Sequence, residues 1–273
     1  MSEEPSVTPI AAPIAAPEPV AVPSAPGAGL SQAEPALSQV QRVVNTFIAP
    51  SKTFTDIRRS ASWWMPFLLS LAFGMGFTMT AIHQIGYEKL ADGVIAQSAS
   101  LQNNIDAATP AQAAQIHAKV EAQFQYIVYS TPLVILIVGL LCSAVLLATV
   151  NFGLGGEAKF GQMLAVWFYG TLPLMLISLL AVIAIFAGLN PDNFNLQSPI
   201  GTNIGYYIPS DSPKWLKHLL DSADVFSIWS ACLLTIGVSI VGKVKRGAAA
   251  AAVFGWWVVY VLLFKVALAS LGG

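Results

Sequence analysis

From residue 63 onward the chain alternates between long apolar stretches and shorter polar ones, and nearly every charge falls in the latter. The apolar stretches run at 63–82, 126–150, 163–189, 225–242 and 247–271, and the first four hold no Asp, Glu, Lys, Arg or His. About 18 or more such residues cross bilayer hydrocarbon as a helix. Inside lipid each backbone N–H and C=O needs a partner, and a helix supplies one within a single segment. The pattern predicts an all-α fold: an integral membrane bundle of five transmembrane helices, with a helical outer hairpin between the first two.

The polar segments divide the rest. Residues 1–35 are almost all Ala, Pro, Val, Ser and Glu, and read as an extended, disordered Pro/Ala-rich tail, a spacer or a docking segment. The start is acidic and no unbroken apolar region follows, which does not fit a secretory signal. Residues 36–62 form an amphipathic stretch, and 63–273 the membrane domain. Leu37, Val40, Val44, Phe47 and Ile48 recur at helical spacing and form one apolar stripe. Pro50 breaks that helix, and Ser51 is suited to cap a second one. The second helix puts Phe54 and Ile57 on one side and carries Lys52, Arg58 and Arg59. An apolar face with basic residues suggests helices lying in the membrane interface; the alternative is a connector packed on the bundle.

Within the membrane domain, Trp63 and Trp64 suit the headgroup level. Small residues recur every fourth position at Ser70, Gly74 and Thr78, at Ala231, Thr235 and Ser239, and at Gly247, Ala251 and Gly255. Such rows read as packing faces, with self-association as a further use. The long gap at 83–125 should continue the first helix through 87–105. A second helix should begin at Thr109-Pro110-Ala111-Gln112, a capping box with Pro in the first turn. Together they make a hairpin projecting about 20 Å or more at 1.5 Å per residue. Gly153, Gly155 and Gly156 serve a tight turn, and Pro173 should kink the third span. Asn190-Pro191-Asp192-Asn193 is turn chemistry. Ser212-Pro213 can open a short helix with an apolar side of Trp215, Leu216, Leu219 and Leu220. Asp221 and Asp224 precede the fourth span, where carboxylates favour a helix N-terminus.

Composition narrows function by exclusion. The chain is 55% hydrophobic, 10% charged and has a net charge of −1, so it lacks the basic footprint of a nucleic-acid binder. Cys142 and Cys232 lie at different depths of their helices and read as small buried residues. No Gly-x-Ser-x-Gly or His-Glu-x-x-His occurs, and no catalytic, metal or cofactor site is assigned. His83, His117 and His218 share one side with Glu88, Asp92, Glu121, Asp221 and Asp224, without ligand spacing. Lys265, the one charge inside a span, can snorkel to the interface. With the N-terminus inside, the inner segments hold Arg42, Lys52, Arg58, Arg59, Lys159, Lys243, Lys245 and Arg246. The outer ones hold Lys89, Lys119, Lys214 and Lys217. Eight basic residues against four favour N-in and C-out.

Several motifs resemble the Yip (Ypt/Rab-interacting protein) domain family of multi-span membrane proteins. Ala49-Pro50-Ser51-x-x-Phe54-x-x-Ile57 followed by Trp64-x-Pro66-Phe67 resembles the start of that domain. The Gly-rich turn with Phe160-x-Gln162, the Pro173 span, and Asp224-Val225-Phe226-x-Ile228-Trp229 with Gly237 are also similar to it. Asn193-Phe194-Asn195-Leu196-x-x-Pro199-x-x-Thr202-Asn203 looks like the bacterial branch. The resemblance implies five spans with a cytosolic N-terminus. Eukaryotic Yip proteins bind prenylated Rab GTPases, a partner that does not carry over to a bacterium. The expectation is a non-enzymatic protein of the bacterial cytoplasmic membrane that organises or recruits partners. Its surroundings are the lipid bilayer and protein partners not specified by the sequence. The alternative is a small transporter or channel subunit, with helices broken around a midplane site.

Overall fold

The computed structural model describes residues 35–188, 198–209 and 212–267. The Pro/Ala-rich tail, the Asn190-Pro191 turn, the Asn193–Leu196 part of the bacterial-type motif and the end of the fifth apolar stretch lie outside them. Among the described residues the secondary structure is helical, apart from one isolated bridge between Asn203 and Asp224. The elements are α1 (Gln39–Ile48), α2 (Pro50–Ile57), α3 (Trp64–Ile85), α4 (Tyr87–Gln97), α5 (Ala99–Asp106) and α6 (Pro110–Ala148). They continue with α7 (Phe160–Gly170), α8 (Leu174–Phe186), α9 (Lys214–Asp221), α10 (Val225–Gly242) and α11 (Arg246–Tyr260). Five spans emerge: Trp64–Ile85, Pro110–Gly153, Phe160–Phe186, Val225–Gly242 and Arg246–Lys265. The chain is an integral, multi-pass membrane protein.

The sequence explains most helix ends. Thr109 caps α6 with Gln112 completing the box, as its pattern predicts. At 39 residues α6 is about 58 Å long, nearly twice the ~30 Å of bilayer hydrocarbon, so its polar first half stands beyond the apolar zone. Pro173 ends α7 and opens α8, so the third span is broken there. Phe168, Tyr169 and Leu172 fill the break and are at most 1% exposed. Asp224 caps α10 through both Phe226 N–H and Ser227 N–H.

Two local expectations are corrected. Pro50 does not only end α1; it starts α2 in the first helical position, with Ala49 in the cap and Ser51 inside the helix. The 87–105 segment is helical but does not extend the first span continuously. Gly86 at φ 89° breaks it, and Ser98 breaks it again by capping α5. Trp63, at the start of the first span, is partly buried and stacks on Phe168 at 5.6 Å.

Two apolar clusters hold the bundle. The larger joins α2, the end of α6, α7, α10 and α11 through Phe54, Ile57, Leu146, Val150, Met163, Val166, Leu234, Val238 and Val253. The smaller joins the far end of α3 to α4 and α6 through Ala81, Leu90, Ala91, Ile95, Val120 and Phe124. Close helix approach occurs at Gly139 against Phe168, at Gly170 against Leu234, and at Gly237 against Val166 and Phe54. It does not occur along two of the anticipated small-residue rows. A methyl group added at Gly74, Gly247 or Gly255 would meet nothing within 4 Å, so no other helix of the chain closes on those glycines.

Candidate interaction site at the basic end of the bundle

Phe54 and Ile57 are fully buried in the main cluster, so the apolar side of α2 packs on the bundle. Helix α1 turns its polar side inward: Arg42 and Thr46 are buried, while Val40, Val44 and Ile48 are 61%, 49% and 74% exposed. Phe47 meets the Trp229 ring at 5.6 Å, and the Phe54 ring lies against Gly237. The end of α2 stands beside Val241. From Trp229 to Val241 is about 18 Å of helix at 1.5 Å per residue. The α1–α2 pair therefore runs alongside α10 for much of its length, with the turn at Pro50 as its apex.

A buried polar clasp explains the inward face. Arg42 Nε donates to Asp56 Oδ2 at 2.7 Å, and Arg42 Nη1 donates to the Ser60 carbonyl at 3.0 Å. The Arg42 carbonyl accepts from the hydroxyls of Thr46 and Thr53 at 2.8 and 2.9 Å. Tyr169 of α7 donates to Gln39, which donates to Ser62, tying α1 to two further segments. A buried charge needs a partner and hydrogen bonds; the clasp supplies them to Arg42, while Asp56 Oδ1 is buried without a partner. Sequence reasoning placed Arg42 among the inner basic residues and missed its partner. The available signal was Asp56, the one carboxylate between residues 36 and 62.

Three distant segments meet at this end. Gln162 donates to the Arg58 carbonyl at 3.0 Å, Glu157 N–H to the Gly242 carbonyl at 3.3 Å, and Lys243 Nζ to Glu157 Oε2 at 2.7 Å. Tight turns make this possible. Gly155 has φ 67° and Lys243 itself takes a left-handed φ of 55°. Gly156 packs so closely on Val150 and the Gly242 carbonyl that an added Cβ would lie 2.5 Å from a Val150 methyl. Between the segments lies a cleft of about 410 Å³, lined by Thr55, Arg58, Arg59, Glu157, Lys159, Gln162, Val241 and Lys243. Its walls carry four cations and one carboxylate. The Lys243 hydrogen bond and charge hold the Glu157 carboxyl below the usual glutamate range.

The opposite end gathers the other polar residues the sequence singled out. Asp224 accepts from the Thr202 hydroxyl as well as from its two capped N–H groups. Asn203 donates to Ser198 at 2.7 Å and caps the short turn Ile204–Tyr207. Asp221 lies against Gly205, and burial pushes its carboxyl above the usual aspartate range. Lys265, expected to snorkel, acts electrostatically on Asp221 together with Lys217 and His218. His117 pairs with Asp92 at 3.2 Å within the hairpin. Among the described residues no three His, Cys, Asp or Glu side chains converge, and both cysteines are free thiols. The model of one family, the Yip1 domain, matches residues 44–268. No curated protein and no solved structure matches the chain.

Proposed function

The chain belongs to the Yip1 domain family, and on that premise we propose that it is a non-enzymatic membrane protein that organises or recruits partners at the bilayer. The observation that carries this reading is the buried clasp. Arg42, Asp56, Thr46, Thr53, Gln39 and Tyr169 are spent on locking α1 and α2 against the spans. The lock holds α1 and α2 fast on the spans, so that they present a fixed surface to a partner. The basic end faces the cytoplasm in this reading, with the N-terminus inside and the C-terminus outside. The membrane is the bacterial cytoplasmic one. The row of Gly247, Ala251 and Gly255, on whose glycines no other helix of the chain closes, offers a face for self-association.

Crosslinking in membranes followed by affinity recovery tests the reading. Full-length protein and a variant lacking residues 1–35 should each recover a reproducible partner set, with tail-dependent members lost from the second. Recovery of no reproducible partner from either would refute recruitment as the role. Substrate-dependent flux in proteoliposomes, lost on changing a span residue, would replace it with transport.

A further inference from the structure

We propose that the cleft between the end of α2, the Glu157–Gln162 segment and the end of α10 is a binding site for the phosphate of an anionic lipid headgroup. The cleft floor is Val241, a buried residue in the last turn of an apolar span, and its walls are Arg58, Arg59, Lys159 and Lys243. That sequence of surfaces, apolar below and cationic around, is found where hydrocarbon gives way to headgroups. The four cations come from three separate segments, held together by the Gln162 side-chain amide donating to the Arg58 carbonyl and by Glu157 N–H donating to the Gly242 carbonyl. Gathering like charges opposes folding unless an anion compensates. Glu157, paired with Lys243, is the one carboxylate in a lining that holds four cations. Among the described residues, Arg58 and Lys159 make no ion pair with a carboxylate.

The neighbouring surface suits acyl chains rather than a fully soluble anion. Phe160 is 40% exposed immediately after Lys159, and Phe152 is 92% exposed on the same connection. A headgroup phosphate seated among Arg58, Lys159 and Lys243 leaves its acyl chains to the lipid around the bundle. Guanidinium and ammonium groups together give both forked and point-charge donors to phosphate oxygens. Glu157 acts as an internal competitor: it holds Lys243 when the cleft is empty and must be displaced or accommodated by the lipid.

Native mass spectrometry of the full-length protein in neutral detergent tests the site. Dioleoyl phosphatidylglycerol is titrated against dioleoyl phosphatidylcholine, with and without excess inorganic phosphate. The expected result is selective retention of phosphatidylglycerol, not displaced by phosphate. Arg58→Gln combined with Lys159→Gln should weaken it roughly 25-fold, about fivefold for each basic residue at a charged surface. Glu157→Gln should tighten it, a gain that a folding defect cannot produce. Lys89→Gln with Lys119→Gln, at the other end of the bundle, should leave it unchanged. Equal retention of the two lipids, or unchanged binding by the Arg58/Lys159 variant, would overturn the proposal. Displacement by phosphate would overturn the lipid assignment and make the site one for a soluble phosphate.

Discussion

Removing the Asp56 carboxylate tests how the N-terminal helices are held. In the native clasp Arg42 is 2% exposed, with Nε 2.7 Å from Asp56 Oδ2 and Nη1 on the Ser60 carbonyl. Asp56→Ala strands a guanidinium in that enclosure with one acceptor left. Breaking one partner of a buried ion pair costs about 3–5 kcal/mol. The least costly escape is for α1 and α2 to lift away from α7 and α10, so that Arg42 regains water. At about 1.4 kcal/mol per tenfold, amide protection across Gln39–Ile57 should fall by roughly two to four orders of magnitude. Protection in α6 and α10 should fall much less. Hydrogen exchange of the detergent-solubilised protein, read by mass spectrometry, reports this segment by segment. Arg42→Met combined with Asp56→Leu removes both charges and fills the space, so it should restore most of the lost protection. If Asp56→Ala exchanges no faster in α1 and α2 than Lys52→Ala, an exposed change on the same helix, the reasoning fails.

Gly237→Ala places a methyl 2.7 Å from Val166 and 2.8 Å from Phe54, and should cost about 1–3 kcal/mol of thermal stability; Gly255→Ala, which meets nothing, should be neutral or slightly stabilising. Equal melting temperatures for the two would contradict the packing described. Asp224→Ala should cost about 2–4 kcal/mol, combining loss of the α10 cap with loss of the Thr202 bond, and Asp224→Asn distinctly less; thermal melts in detergent check the order. Burial raises the Asp221 carboxyl on folding, so the folded state binds more protons. Its contribution is therefore most favourable below the ordinary aspartate range, and declines as pH rises towards the folded value. Asp221→Asn should remove that decline and melt at or above wild type at neutral pH, and a lower melting temperature there would contradict the assignment.

The spans were legible because their signal is an absence: four stretches without a charge, each long enough to cross. The same holds for features fixed by local chemistry. The Thr109–Gln112 box stands as the sequence predicts, Pro173 breaks the span it was expected to kink, and Asp224, expected to favour the helix N-terminus by its charge, caps it as well. What was missed depended on neighbours distant in the chain. An amphipathic pattern shows that α1 has two faces, but not which distant residues meet the polar one. Here Asp56, Ser60 and Tyr169 reward burial of the polar side, while lipid can accept Val40, Val44 and Ile48. Small-residue rows divide for the same reason. Every fourth position in an Ala/Gly-rich helix is often small, and only the partner's position separates Gly237, packed on two side chains, from Gly74 or Gly255, on which no other helix of the chain closes. The cleft could not be read at all, because residues 55–59, 157–162 and 241–243 meet only through the turns at Gly155 and Lys243.

The central claim is a five-span bundle whose basic end lies in the cytoplasm. Single cysteines at Ser60, Glu157 and Lys245 on that end, and at Asn104 and Tyr207 on the other, test it in a background lacking Cys142 and Cys232. A membrane-impermeant thiol reagent applied to intact cells should label Asn104 and Tyr207 sites at once. The Ser60, Glu157 and Lys245 sites should react only after permeabilisation. Labelling of the Lys245 site in intact cells, or protection of the Asn104 site, would contradict the account.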